Sequence, residues 1–349
     1  MLTFVIPTHD RPSELRIAVK SILDQITDDS VSVLVLDNGS SKETQAVLDD
    51  FDGNPHFSSR RFDDNQDYSV AFHRMMTAAP LSDWVWTFGD DDKLMPGALS
   101  FMVDYLAKAP TDLAFIHVAE VTRAGKTSNA VRGALIDLCC NLGWIDVTGF
   151  ITGNICRGSR LSKASATPRW KEYSKSAFVH SCAILEEFKD DQAVFLDLPL
   201  IATQSLNQTD ETVKRWIDAH IPERYLYVST ALERMFDDGI LTKKLPAKFF
   251  RYLNYHLWDR FISHFISDYT TGNQMWIEDS WANVARLARY IDDPDVAEGL
   301  VKDIEAARGM ITLHFYMQRN IDGIRGEIDS ISLRRGEARY PYSYVETAE

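Results

Sequence analysis

The sequence predicts an α/β fold, a doubly wound and mostly parallel sheet followed by a C-terminal helical region. Three observations predict it. Short apolar, β-branched runs alternate with amphipathic helical stretches through the first half, polar acid-rich turns follow the runs, and after about residue 205 the alternation gives way to aromatic-rich helical spacing.

Leu2 to Pro7 reads as the first strand, followed by the turn Thr8-His9-Asp10-Arg11-Pro12 and a helix from Ser13 with Leu15, Ala18, Val19, Ile22 and Leu23 on one face. Val31 to Leu36 is the second strand. It stops at Asp37-Asn38-Gly39-Ser40, where Ser40 and Glu43 have capping-box spacing before a helix buried through Val47, Leu48 and Phe51. Phe57 to Phe62 is a weaker strand, and Phe72, Met75 and Met76 mark a helix from about Ser69. Trp84 to Phe88 is aromatic and β-branched, the composition of a buried strand, and Gly89 ends it. Asp90, Asp91 and Asp92 follow directly, and Pro96 suits the first turn of a helix carrying Leu99, Met102, Val103 and Leu106.

Three adjacent carboxylates repel one another. A hard divalent cation, Mg²⁺ or Mn²⁺, would offset that repulsion through oxygen ligands; the other reading is an acidic cap on the helix dipole. In a doubly wound sheet ligands bind beyond the carboxyl ends of the strands, and Thr8, Asp10, Arg11, Asp37, Asn38 and the three acids all fall at such ends.

At 349 residues with 45% hydrophobic composition the chain exceeds one typical domain, and its formal charge of −14 argues against a general nucleic-acid binder. Cys139, Cys140, Cys156 and Cys182 form no CxxC pair and read as reduced thiols. The chain starts in strand sequence and holds no run of 18 apolar residues. The expectation is a cytoplasmic protein, with the inner face of the membrane as a place of contact.

The segments FVIPTHDRP, VLVLDNGSS, NQDYSVAFHR and WTFGDDDKLMPGAL, in this order and spacing, resemble the nucleotide-sugar domain of the GT-A family 2 glycosyltransferases. The resemblance implies that Thr8, Asp10, Arg11 and Asp37 hold base and ribose, with Asp37 accepting a hydrogen bond from a pyrimidine N3–H. Asn38 and Asn65, in the same segments, join them as donor-binding candidates. Arg74 is either a phosphate contact or an exposed helix arginine. The family's DxD-type motif implies metal ligation by Asp90, Asp91 and Asp92, with Asp91 as the leading ligand and Asp90 also toward the donor. One departure is plain: Gly89 stands where the family usually has the first aspartate.

Past residue 115 the resemblance weakens. Leu113 to Val121 reads as a strand, and Thr148 to Arg157 resembles the segment lining the acceptor side, or marks a simple bend. Arg160 to Lys175 is either a mobile lid or an ordinary surface loop. Ser176 to Phe188 reads as a helix and Ala193 to Leu198 as a strand. The family usually places its catalytic aspartate near the start of this helix, and here the titratable group at that place is His180; Asp190 and Asp191 are the reserves, and a structural histidine the alternative. These elements complete a catalytic domain over residues 1–205.

Residues 206–349 form the helical region, with candidates at Glu211 to Ala219, Tyr225 to Asp237, Ala247 to Ser267, Ser280 to Ile291 and Val296 to Arg325. The third of these is apolar on several faces, which suits a core, a homo-oligomer contact or a membrane-surface patch. The function expected is an inverting, metal-dependent glycosyltransferase using a UDP- or dTDP-linked nucleotide-sugar, with a bacterial surface glycan (O-antigen-like polysaccharide biosynthesis) or its lipid-linked precursor as acceptor. The alternatives are a nucleotidyltransferase using a nucleoside triphosphate and a non-catalytic GT-A scaffold.

Overall fold

The computed structural model describes residues 1–78, 82–120, 130–176, 178–203, 221–250 and 285–302 together with 305, 306 and 309, with backbone alone for 221–226. The chain divides into two units, Met1–Ala297 and Glu298–Glu349, and the fold below is that of the first.

Strand β1 (Leu2–Thr8) is central to one half of the sheet. It pairs in parallel with β2 (Val31–Asp37) on one side and with β4 (Trp84–Thr87) on the other, and β3 (Phe57–Arg61) extends the parallel run beyond β2. Between them run the helices α1 (Pro12–Leu23), α2 (Lys42–Asp49) and α3 (Tyr68–Ala78). The expected α/β architecture is present, and Pro12 opens α1 while Leu15, Ala18, Val19 and Ile22 turn into the core. At the middle of that core, Phe4 and Trp86 are register partners on adjacent strands and stack with centroids 4.8 Å apart, with Phe88 edge-on to Phe4 at 5.7 Å.

Beyond β4 the sheet becomes mixed. β5 (Asp92–Leu94) is a short strand standing between the acids and helix α4 (Ala98–Ala107), so Pro96 lies ahead of that helix and Gly97, at φ 80°, enters it. The expectation of acids running straight into a helix is corrected accordingly. β6 (Leu113–Glu120) is buried throughout, and after β7 (Ala130–Ala134) come α5 (Leu135–Leu142) and α6 (Trp144–Thr148). The segment expected at the acceptor side or as a bend makes one 3-10 turn, Ile151–Gly153, and becomes β8 (Asn154–Arg157). β8 is antiparallel to both β4 and β6, which leaves those two parallel to one another. β9 (Gln192–Thr203) runs parallel to β6 and pairs antiparallel with β7 at its start and β5 at its end.

The segment Arg160 to Lys175 is folded and fastened. It forms α7 (Gly158–Ala164) and α8 (Trp170–Tyr173) against α9 (Val179–Phe188). Arg160 pairs with Glu187 and, at 2.8 Å, with Asp191; Arg169 pairs with Glu186 at 2.8 Å and Asp238 at 2.7 Å, and the buried Tyr173 donates its hydroxyl to Glu186. Asp238 follows helix α10 (Ile221–Asp237), which overlaps the expected helix at Tyr225. Glu211 to Ala219 and most of Ala247 to Ser267 and Val296 to Arg325 lie outside the described residues.

Trp86 also donates its indole N–H to the Thr152 carbonyl at 2.7 Å, coupling the core to the 3-10 turn. Trp86→Ala is expected to cost about 3–5 kcal/mol of unfolding free energy in urea titration, the range for deleting a buried aromatic.

Candidate active site

The polar turns after β1, β2 and β4 meet at one edge of the sheet. Thr8 ends β1 and donates its hydroxyl to Asp90 Oδ2 at 2.7 Å. Arg11, at the N-cap of α1, reaches the same acids with one nitrogen: Nη1 lies 3.2 Å from Asp90 Oδ1 and 2.7 Å from Asp91 Oδ2. Burial pushes the Asp90 carboxyl up to about 7, with Arg11 opposing and Asp91 adding to the rise. Asp92 is pushed up to about 8 by burial and then by Asp91; Thr152 Oγ1 donates to its Oδ2.

Gly89 lies at the centre of this group. Its N–H donates to Thr152 Oγ1 at 2.8 Å, and a Cβ there would lie 2.8 Å from Asp92 Oδ2 and 3.0 Å from both Asp91 Oδ1 and Thr152 Oγ1. Oxygens of Asp91, Asp92 and Thr152 surround the space that a side chain at this position would take.

A second cluster lies around the turn after β2. Asp37 is fully buried, and its two oxygens accept the Ser40 N–H and Arg61 Nη1, each at 2.8 Å. Asp10 adopts φ 50°, accepts the Ser41 N–H at 2.6 Å and donates its own N–H to Ser40 Oγ at 3.1 Å. The hydrogen bonds from Ser41 hold the Asp10 carboxyl below its ordinary range. Ser40 is thus occupied away from the expected capping box, and Ser41 takes the N-cap position. Asn38 donates to Asn65 Oδ1 at 3.0 Å and to the Gln66 carbonyl at 2.8 Å, while its Oδ1 accepts Arg74 Nη1 at 3.0 Å. Arg74 is not a free surface arginine: it also pairs with Asp64 at 3.1 Å and lies 4.2 Å over the Phe62 ring.

Thr8, Arg11 and the three acids therefore form one group, and Asp10, Asp37, Asn38, Asn65 and Arg74 form another, joined by the Asn38 N–H to the Thr8 carbonyl at 2.9 Å. Asp37, expected to accept a pyrimidine N3–H, is buried here with each oxygen already accepting one bond within the fold. His180 reaches the region but is packed away: Nε2 meets the Gly149 carbonyl at 3.0 Å, the ring stacks on Phe72 at 5.1 Å, and Nδ1 is buried with no partner among the described residues. Burial pushes its pKa down to about 4, so it is a weak base held in place by packing. Asp191 precedes β9, hence lies where the strands begin, opposite the acids, and its carboxylate is paired with Arg160. Both side chains are engaged within the fold.

Sequence reasoning missed Thr152, Arg61 and Glu120. Glu120 is a buried acid at the end of β6, accepting from Thr203 at 3.5 Å, and its charge contributes to the rise of Asp92. A lone carboxylate closing an otherwise apolar strand was its available signal.

Among the described residues no three acidic, histidine or cysteine side chains converge on one metal position. The carboxylates nonetheless suit a hard divalent cation in kind, and crowded acids pushed up toward neutrality are what such an ion would relieve. The place between Asp90 and Asp91 is held by Arg11.

The fold is of the GT-A glycosyltransferase type. Residues 3–160 match the model described as glycosyl transferase family 2. No curated protein matches the sequence. Among solved structures, S. aureus TarS 1–349 aligns over 99% of this chain and 94% of its own, with TM-score 0.58 at 14% identity. The same TarS fragment in complex with UDP-GlcNAc aligns over the same shares of the two chains, with TM-score 0.57 at 14% identity. The mannosyltransferase PcManGT from Pyrobaculum calidifontis, in complex with GDP-Man and Mn²⁺, aligns over 90% of this chain and 84% of its own, with TM-score 0.51 at 14% identity. At these identities the likeness is one of fold.

The raised carboxyl of Asp92 has a pH signature. A group whose folded pKa lies above its unfolded value contributes stability that is full below about 4 and is lost as pH rises toward about 8. Asp92→Asn removes that penalty. In EDTA, its Tm relative to the parent protein is expected to climb by several degrees between pH 4 and pH 8, read by differential scanning calorimetry.

Proposed function

We propose that the protein is an inverting glycosyltransferase that moves a sugar from a nucleotide-activated donor to a hydroxyl of a bacterial glycan or lipid-linked glycan. The observation that carries this reading is the convergence of Thr8, Arg11 and the three consecutive aspartates at the carboxyl edge of the parallel strands. A UDP- or dTDP-linked donor is the substrate class put forward, supported by family resemblance and by the UDP-GlcNAc held by TarS; the GDP-Man of PcManGT marks how far the base can vary on this fold.

In this reading the donor diphosphate lies over the acid cluster, between Arg11 on one side and Arg74 on the other. Asp91, with Asp90 and Asp92 beside it, would hold Mn²⁺ or Mg²⁺, which supplies charge neutralisation to the departing nucleoside diphosphate when bound. The chain's own contribution is positional. Thr8 and Thr152 orient Asp90 and Asp92, and the tie between Asp10 and the Ser40-Ser41 turn fixes the two loops on which the nucleoside would rest. The 3-10 turn at Thr152 adjoins the acids directly, which supports giving the segment Thr148 to Arg157 to the acceptor side. Residues 206–349 are assigned to acceptor, membrane-surface or self contact, on the strength of their aromatic helical spacing. Among the described residues no helix is long and apolar enough to cross a membrane.

The test is donor binding with and without Mn²⁺ across a panel of nucleotide-sugars, followed by product analysis. Release of nucleoside diphosphate from a bound sugar nucleotide supports the reading. Release of pyrophosphate from a nucleoside triphosphate would replace it with a nucleotidyltransferase. Asp91→Asn is expected to remove the Mn²⁺-dependent part of UDP binding, a loss of about 10-fold or more by calorimetry, while leaving the circular dichroism spectrum unchanged.

A further inference from the structure

The guanidinium of Arg11 stands in the place that the proposed function gives to a metal ion. Its backbone is fixed by the start of α1, where its carbonyl accepts the Leu15 N–H at 2.9 Å. The side chain crosses from the β1 turn to the acid cluster and ends one-quarter exposed. Both acid contacts, 3.2 Å to Asp90 and 2.7 Å to Asp91, run through Nη1 alone. Nε and Nη2 therefore keep N–H donors with no protein acceptor among the described residues. Arg11 is an internal cation with spare donors, at the edge where an anionic ligand would enter.

Two cations cannot both use the same face of Asp91. A hard divalent ion needs carboxylate oxygens at about 2.0–2.2 Å and tolerates no guanidinium in that gap, while the guanidinium fork matches phosphate oxygens as well as it matches carboxylate. We propose that Arg11 is an exchangeable resident cation. In the free protein it neutralises Asp90 and Asp91; in the loaded protein it transfers its donors to the donor diphosphate and leaves the carboxylates to the divalent ion. The proposal rests on the glycosyltransferase reading of the site. It makes nucleotide and metal binding mutually reinforcing, because either ligand removes the contact that opposes the other.

The experiment measures Mn²⁺ binding by electron paramagnetic resonance, with and without UDP, for the parent protein, Arg11→Gln, Arg11→Lys and Asp91→Asn. With Mn²⁺ alone, Arg11→Gln is expected to bind about 10-fold tighter than the parent, since the competing cation is gone. With UDP present, its Mn²⁺ affinity should rise by less than the parent's, and UDP should bind more weakly. Arg11→Lys, a point charge without the fork, should shift both quantities in the same directions by smaller factors, and it carries the test if the glutamine variant does not fold. Unchanged affinity for Mn²⁺ alone in a folded Arg11 variant overturns the exchange. Asp91→Asn separates this from failure of the underlying reading: if it loses Mn²⁺ while the Arg11 variants gain none, the exchange alone is wrong, and if it binds Mn²⁺ and UDP as the parent does, the site assignment itself falls.

Discussion

Three consecutive carboxylates are placed at the end of a strand whose own side chains are buried, and the structure around them answers the cost of that burial. Each acid has its own partner: Thr8 and Arg11 for Asp90, Arg11 for Asp91, Thr152 for Asp92. These partners come from two stretches of chain, the end of β1 with its turn and the turn before β8, so the acids are satisfied only when both meet the end of β4. Thr152 links outer and inner constraints. Its hydroxyl holds Asp92 and accepts from Gly89, and its carbonyl accepts from Trp86, which stacks on Phe4 in the core. A hydrogen bond at the site and the packing of the sheet are therefore not independent terms.

The second cluster shows the same economy applied to backbone. Asp37 and Asp10 spend their carboxylates on N–H groups and an arginine of neighbouring turns, and the strained φ of Asp10 persists because Ser40 and Ser41 hold it from both sides. Gly39 belongs to the same tie: at φ 75° a Cβ would stand 2.5 Å from the Asp64 carbonyl carbon, so only glycine lets the residues after β3 close over the turn. These acids make a floor. What rests on that floor is presented with rigid backbone edges rather than with loose side-chain acceptors.

The first half of the fold was legible because its elements are buried on one predictable face. Leu15, Ala18, Val19 and Ile22 announce α1 by spacing alone, and the Trp84 strand by composition. Several of the elements that escaped carry no such signal. β5 has three residues and β8 four, each shorter than one period of any pattern worth counting, and both exist because β9 or β4 and β6 offer an edge to pair with. α7 and α8 are polar and are held by Arg160 and Arg169 to acids on other elements, a tertiary cause that no local window contains. The site divides in the same way. Strand ends brought Thr8, Arg11, Asp37 and Asp90 together in one dimension, whereas the burial of His180 against Phe72 and the seat of Asp191 at the opposite edge depend on where α9 and β9 pack. Position along the chain located the region; only packing decided which side chains face it.

Charge sets the remaining constraint. A chain with a formal charge of −14 repels a nucleoside diphosphate at long range, but at physiological salt that field is screened within about 8 Å. Capture then depends on cations inside that distance, and the candidate cations are already committed: Arg11 to Asp90 and Asp91, Arg74 to Asp64, Arg61 to Asp37. Arg61 is bound to a fully buried carboxylate and serves the fold. Arg11 and Arg74 are bound to acids at the candidate site, and in the proposed function an incoming diphosphate would substitute for a carboxylate with little change in local charge. Pre-pairing keeps both side chains ordered before the ligand arrives, so the ordering entropy of two long arginines is met by folding rather than by binding. On this account the acidity of the chain does not hinder an anionic substrate; it supplies the exchangeable anions that hold the receiving arginines in position.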